Sequence, residues 1–283
     1  MLMRNNPQRD FVFAIHDQHM LDGLVPHWRE LCQRNVEDTV YYSPDYAMAL
    51  LKTVSSTRRV KFVTAWNGNC LIGLLPVELT RVSIPGVIAA GRAWRTDYTF
   101  SCLPLLDKEC PLAAAVALLD GLSSLACGEW SIANINLQGR ACRALIEALS
   151  QRGSPWLAHR KYSRASLGRG QPFEAHMREH VDSKRRRELG RNRRRLEELG
   201  TVSIRTETHG AGLAQAVQVF LQLEANGWKG KMGTALACST AGRAFAELAF
   251  GTDGVCRIDL LMLDSRPIAA SIIVFSGSTG FTV

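Results

Sequence analysis

The stretch Phe220–Leu236, FLQLEANGWKGKMGTAL, gathers a carboxylate, an aromatic and two cations: Glu224, Trp228, Lys229 and Lys231. A carboxylate at a helix end can take a proton, and lysines beside it attract a phosphate or carboxylate. The glycines Gly227, Gly230 and Gly233 fit neither a Walker loop nor a G-x-G-x-x-G turn. A second pair, Asp97-Tyr98, follows Trp94-Arg95 in a loop before Pro104. An acid beside a phenol suits recognition of a polar ligand; a turn capped by Asp97 is the plainer reading. A third stretch, SKRRRELGRNRRRLEELG, carries eight basic residues and one acidic residue between Lys184 and Arg195. On a helix, Val181, Leu189, Leu196 and Leu199 share one sector, and Lys184, Arg187, Arg191, Arg194 and Arg195 lie opposite. The expectation is a thin apolar seam that packs and a basic stripe that meets solvent or phosphates. Arg193–Glu197 and Arg194–Glu198 have ion-pair spacing. His176 and His180 have the spacing of a two-histidine metal face, but Met177 stands where a zinc protease has glutamate. No metal is expected, and no helix-turn-helix, RNP aromatic or zinc spacing points to specific DNA.

The elements that must position these groups read as follows. Ser43-Pro44 starts a helix with Tyr46, Leu50 and Leu51 on its apolar face. VKFVTAW, Asn67-Gly68 and CLIGLLPVEL form a hairpin. A helix spans 112–125, a strand 130–137 and a helix 142–150. The residues 166–172 are loop-like, and the basic helix follows. Next come a strand at 201–206, helices at 213–225 and 241–250, and a hairpin formed by 257–263 and 268–275 around Asp264-Ser265. The predicted fold is therefore α/β, with mixed, largely antiparallel sheets flanked by helices in two units, 1–165 and 166–283. Helices followed by an antiparallel hairpin occur in both, which suggests a duplication. A third apolar strand begins at Phe281 and the chain stops, so the second unit reads as truncated.

Composition narrows the class. The chain is 46% hydrophobic and 21% charged, ordinary globular material. Its net charge is +8 and Lys184–Arg195 alone carries +7, so the basic character belongs to one helix and not to the whole surface. Eight cysteines without C-x-x-C spacing read as reduced, mainly buried thiols. The first residues, MLMRNNPQRDFVF, lack the apolar core of a signal peptide, and 112–127 is too short to span a bilayer. A cytoplasmic protein with no transmembrane segment is expected.

The order of these pieces resembles GNAT-superfamily acetyltransferase domains of the cellulose-biosynthesis-associated type, related to FemAB-like aminoacyltransferases. The matching stretches are KRRRELGRNRRRLEELG, LEANGWKGKMGTAL and LLMLDSRPIAASIIVF, over about residues 180–275; YYSPDYAMALL and WRTDYTF match the upstream half. The resemblance implies tandem GNAT-like units and acyl transfer to an amine, with acetyl-CoA or another acyl-CoA as co-substrate. Under it, Glu224 is the expected catalytic base, and Asp97, Tyr98, Trp228 and Lys229 are expected to bind substrate. An exposed helix-end glutamate, a core tryptophan and surface lysines are the plainer readings. The family's pyrophosphate loop, [RQ]-x-x-G-x-[GA], is not recognised, so no cofactor-binding residue is assigned. Its nearest look-alike is Asn136-Leu137-Gln138-Gly139-Arg140-Ala141, read as an ordinary turn between a strand and a helix. The expected partner is an amine acceptor, either a small molecule or an envelope precursor. Two alternatives stay open. One is FemAB-like transfer from aminoacyl-tRNA, with RNA on the basic helix; the other is a non-catalytic protein that binds anionic partners.

Overall fold

The computed structural model describes residues 11–79, 90–168 and 170–282. The signal-peptide reading over residues 1–10, Arg169 of the loop and the terminal Val283 lie outside them. The elements run β1 (Phe11–Asp17), α1 (Val25–Arg34), α2 (Pro44–Lys52), β2 (Val60–Asn67), β3 (Cys70–Leu79), β4 (Ala90–Ala93), β5 (Leu105–Leu106), α3 (Pro111–Ser124), β6 (Glu129–Ser131) and α4 (Arg140–Gln151). After an extended connector come α5 (Phe173–His180), α6 (Ser183–Glu197), β7 (Val202–Glu207), α7 (Gly210–Asn226), α8 (Trp228–Lys231), a 3-10 turn at Leu236–Cys238, α9 (Thr240–Phe250), β8 (Cys256–Leu263), β9 (Arg266–Ser276) and β10 (Thr279–Thr282).

The first sheet has the order β1-β2-β3-β4-β6, with β5 on β3; among the described residues only β4 and β6 pair in parallel. The predicted β2–β3 hairpin forms, and Gly68 supplies the positive φ its turn needs. Strand β3 is buried along both faces, because α1 packs on one part of the sheet and α3 on another. That explains its run of apolar residues where a half-exposed strand would alternate. The second sheet, β10-β9-β8-β7, is antiparallel throughout. Its β8 alternates, with Cys256, Ile258, Leu260 and Met262 turned to the core beneath α7, while Ile204 and Phe275 stay exposed. The order strand, intervening helices, three antiparallel strands occurs in both sheets, with two helices in the first and three helices and a 3-10 turn in the second.

One cluster of buried apolar residues joins the two sheets. Helix α2 meets α9, where Tyr46 and Tyr98 pack on Phe245. The turn between β9 and β10 docks on Asp38, whose carboxylate accepts from the Ser278 N–H at 2.9 Å, the Ser278 hydroxyl at 3.0 Å and the Thr279 hydroxyl at 2.9 Å. Phe281 then meets Tyr41 edge-on.

Four expectations change. The strand expected at 130–137 is only Glu129–Ser131, since Asn134 turns the chain with a positive φ. The loop Trp228–Lys231 is a helical turn. Of the eight cysteines, all free, only Cys102, Cys142 and Cys256 are fully buried, and Cys70 and Cys238 are exposed. The seam of the basic helix does not pack as expected: Leu199 is 72% exposed and Leu189 40%, and no residue of α6 is buried.

Candidate active site

The loop carrying Asp97 and Tyr98 is held from three sides. Trp94, fully buried, donates its backbone N–H to Pro76 of β3 at 2.8 Å. Thr96 and Thr99 bond to each other at 3.0 Å and close the turn, and the Thr96 hydroxyl accepts from the Tyr98 N–H. The Tyr46 hydroxyl, from α2, donates to the Tyr98 carbonyl at 2.7 Å. The two threonines, rather than Asp97, therefore cap this turn, and the Asp97 side chain is left exposed.

Tyr98 crosses to the other sheet's helices. Its ring stacks on Phe245 of α9, centroids 5.0 Å apart and planes 17° off parallel. Its hydroxyl lies over the first turn of α9, where a Cβ added to Gly242 would sit 3.2 Å from it. The same Cβ would come within 2.5 Å of the Leu236 carbonyl, so glycine is needed for this close approach. Ser239 caps α9 by accepting from the Gly242 N–H at 2.9 Å. Burial first, and then the negative charges of Asp97 and Glu224, push the Tyr98 phenol above its usual range. The hydroxyl thus stays protonated at neutral pH and can donate a hydrogen bond.

Glu224 is not the exposed helix-end carboxylate of the plainer reading. Its side chain is only 7% exposed. Oε1 accepts from Lys229 Nζ at 2.7 Å and Oε2 from the Leu236 N–H at 2.8 Å. One carboxylate therefore ties α7, α8 and the 3-10 turn together, and both oxygens are engaged. Lys229 keeps its outer side in solvent, while Trp228 and Met232 are each 71% exposed, so Trp228 is no core anchor. The structure brings Tyr98, Glu224 and Lys229 to one region, with Asp97 at its edge and Trp228 on the surface turn beside Lys229. Sequence reasoning missed Gly242, Ser239 and the Phe245 stacking face; the pattern Ser239-Thr240-Ala241-Gly242 before an apolar helix was the available signal.

The look-alike phosphate turn is occupied from within. Gly139 is the residue before α4, and the Ala141 N–H donates to Glu37 Oε1 at 2.7 Å. A carboxylate of the chain therefore stands where a phosphate would take the free N–H groups of a helix start. A CoA pyrophosphate does not fit there. Among the described residues, no group of three or more His, Cys, Asp or Glu is placed to hold a metal ion, and no helix is long and apolar enough to cross a membrane. His176 and His180 face each other on α5 with ring centroids 4.5 Å apart, and Glu179 Oε1 lies 3.8 Å from His180 Nε2.

No curated protein matches the chain. Glu224, Trp228 and Lys229 lie in the part of the chain that matches a family model and Asp97-Tyr98 lie outside it: residues 183–282 match the acetyltransferase (GNAT) domain family, from the start of α6 through β10.

Proposed function

We propose that the protein is an N-acyltransferase that moves an acyl group from an acyl-CoA to an amine, and that the acceptor binds where the Tyr98 loop meets α7, α8 and α9. The observation that carries this reading is the Tyr98 hydroxyl, which comes from outside the matched region and lies over the first turn of α9, inside the region that matches the GNAT domain. In this scheme Tyr98 and Asp97 orient a polar acceptor, and Trp228 and Lys229 border its path. Glu224 takes the amine's proton once the incoming amine displaces Lys229 from Oε1. The amine nitrogen then bonds to the thioester carbonyl carbon, the C–S bond breaks, and CoA leaves with a proton on sulfur. With Glu37 seated on α4, the donor's phosphates are not assigned to the first sheet.

The matching order of strands supports reading 1–165 and 166–283 as tandem units. The order from α6 through β9 supports the cellulose-associated subtype, with an amino sugar, amino acid or envelope precursor as acceptor. The test is thiol release from acetyl-CoA with a panel of such amines. Tyr98→Phe should raise the acceptor KM with little change in kcat. Glu224→Gln should lower kcat with little change in the acceptor KM. A protein that neither binds acetyl-CoA nor releases thiol with any amine would refute the reading, and competition by charged tRNA but not by acetyl-CoA would favour aminoacyl transfer instead.

A further inference from the structure

The positive charge of this protein is confined to the chain between the two sheets. Thirteen basic and six acidic residues lie between Ser154 and Leu199, a net +7 against +8 for the whole chain, so everything else sums to +1. Eleven of those thirteen are arginine, the side chain that grips phosphate bidentately and also stacks on flat rings. This part of the chain is barely packed. From Ser154 to Gly168 it forms no helix or strand, and neither α5 nor α6 buries a residue. Few of the charges are neutralised locally. Arg185 pairs with Glu188 and Arg193 with Glu197, both at 2.8 Å, while Lys184, Arg191, Arg194 and Arg195 have no ion pair among the described residues.

Aromatic rings alternate with these charges and are also exposed: Trp156 by 50%, Tyr162 by 59% and Phe173 by 70%. The Arg164 guanidinium sits 5.4 Å from the Tyr162 ring centroid, and the Tyr162 hydroxyl accepts from Arg164 at 3.1 Å. Tyr162 is thus held, whereas Trp156 and Phe173 offer open faces. Two alternatives fit less well. A helix lying on a bilayer must bury a broad apolar face, but α6 has only Leu189 and Leu196 among fifteen residues. A solvated helix would gain from balanced charge, and this one repels itself.

We infer that the connector from Ser154 to Leu199 binds single-stranded RNA, with the arginines of α6 on phosphates and Trp156 and Phe173 stacked on bases. Phosphate contacts along a basic track and base stacking on open aromatic faces are how sequence-tolerant single-strand binding is built. RNA is the polynucleotide that presents unstacked bases in loops and ends. The inference does not depend on acyl transfer.

The test is fluorescence anisotropy of a labelled 20-nucleotide oligouridine with the full chain, titrated between 50 and 300 mM KCl. About five phosphate contacts should give a log–log salt slope near −3.5. The triple variant Arg191→Gln, Arg194→Gln, Arg195→Gln should weaken binding at least tenfold at ~100 mM salt and reduce the slope by about 2. The double variant Trp156→Ala, Phe173→Ala should weaken binding at least fivefold and leave the slope unchanged, a split that simple charge attraction does not produce. All the substituted residues are exposed, and circular dichroism checks that the variants fold. The inference is overturned by any of four results: no binding at 50 mM salt, indifference to the aromatic substitutions, tighter binding to the same sequence as DNA, or preference for phosphatidylserine vesicles over RNA.

Discussion

Removing the Glu37 carboxylate should uncap a helix whose Ala141 N–H lies 104 residues further along the chain. Helix α4 starts after Gly139, which has no side chain to offer, and no other side chain caps it. Its first turn carries no acidic residue, so Glu37 is both the hydrogen-bond acceptor for the Ala141 N–H and the negative charge at the positive end of the helix. A lost cap is worth about 1 kcal/mol, and the charge–dipole contribution at a partly buried site adds roughly 0.5–1 kcal/mol. Glu37→Ala should therefore lower stability by about 2 kcal/mol, a Tm decrease of ~3 °C for a chain of this size. Glu37→Gln keeps an acceptor and loses the charge, so it should fall near the middle of that range. Gly139 supplies an internal control. A Cβ there would sit 2.5 Å from both Glu37 oxygens, and the flexible carboxylate would have to swing away. Gly139→Ala should thus lose the same cap in the native chain, and should be nearly neutral once residue 37 is alanine. Urea unfolding of the four proteins in this cycle measures the coupling. Additive effects, or a Glu37→Ala change below ~0.3 kcal/mol, would refute the assignment of Glu37 as the cap of α4.

Asp38→Ala should detach the turn between β9 and β10, because three donors lose one acceptor; a loss of roughly 2–3 kcal/mol, with faster amide exchange in β10, is expected. Gly91→Ala would place a Cβ 2.3 Å from the Trp130 ring and should prise apart the parallel β4–β6 pair, lowering stability by ~2–3 kcal/mol in chemical unfolding. Alkaline pH should unfold the protein steeply. Burial pushes the Cys32 thiol up to about 12, helped by Asp45, burial alone pushes Cys256 to about 11, and burial pushes the Tyr41 phenol to about 12. These groups ionise earlier in the unfolded chain, so the stability they contribute is complete below pH ~8.5 and drains as pH rises toward those values. Between pH 10 and 11 the three together predict a fall of roughly 3 kcal/mol, readable by urea titration; a flat profile over that range would contradict their burial.

How much was legible in advance follows from how local each signal is. The β2–β3 hairpin was readable because Asn67-Gly68 and its flanks decide it within a few residues. Helices α2, α3 and α9 were readable from a proline or a small polar residue just before an apolar period. Strands β1 and β4 were not, since β1 leaves Val12 and Phe13 exposed and β4 is a short Ala-Gly-Arg-Ala made a strand by pairing with β3 and β6. In the site, Glu224, Trp228 and Lys229 stood out as residue types, but their surroundings did not. That Glu224 is nearly buried and doubly bonded, and Trp228 exposed, depends on how α8 folds back. Charge segregation was a property of the sequence alone; that α6 leaves its seam in water was not. Sequence by itself thus determined the elements with strong local periods, the residue types available for chemistry and the place of the positive charge, because these depend on neighbours in the chain. Only tertiary structure decided that Tyr98 meets α9, that Glu37 caps α4 and that Asp38 holds the last hairpin, because each is a contact between residues about a hundred or more positions apart, and such contacts leave no period in the chain.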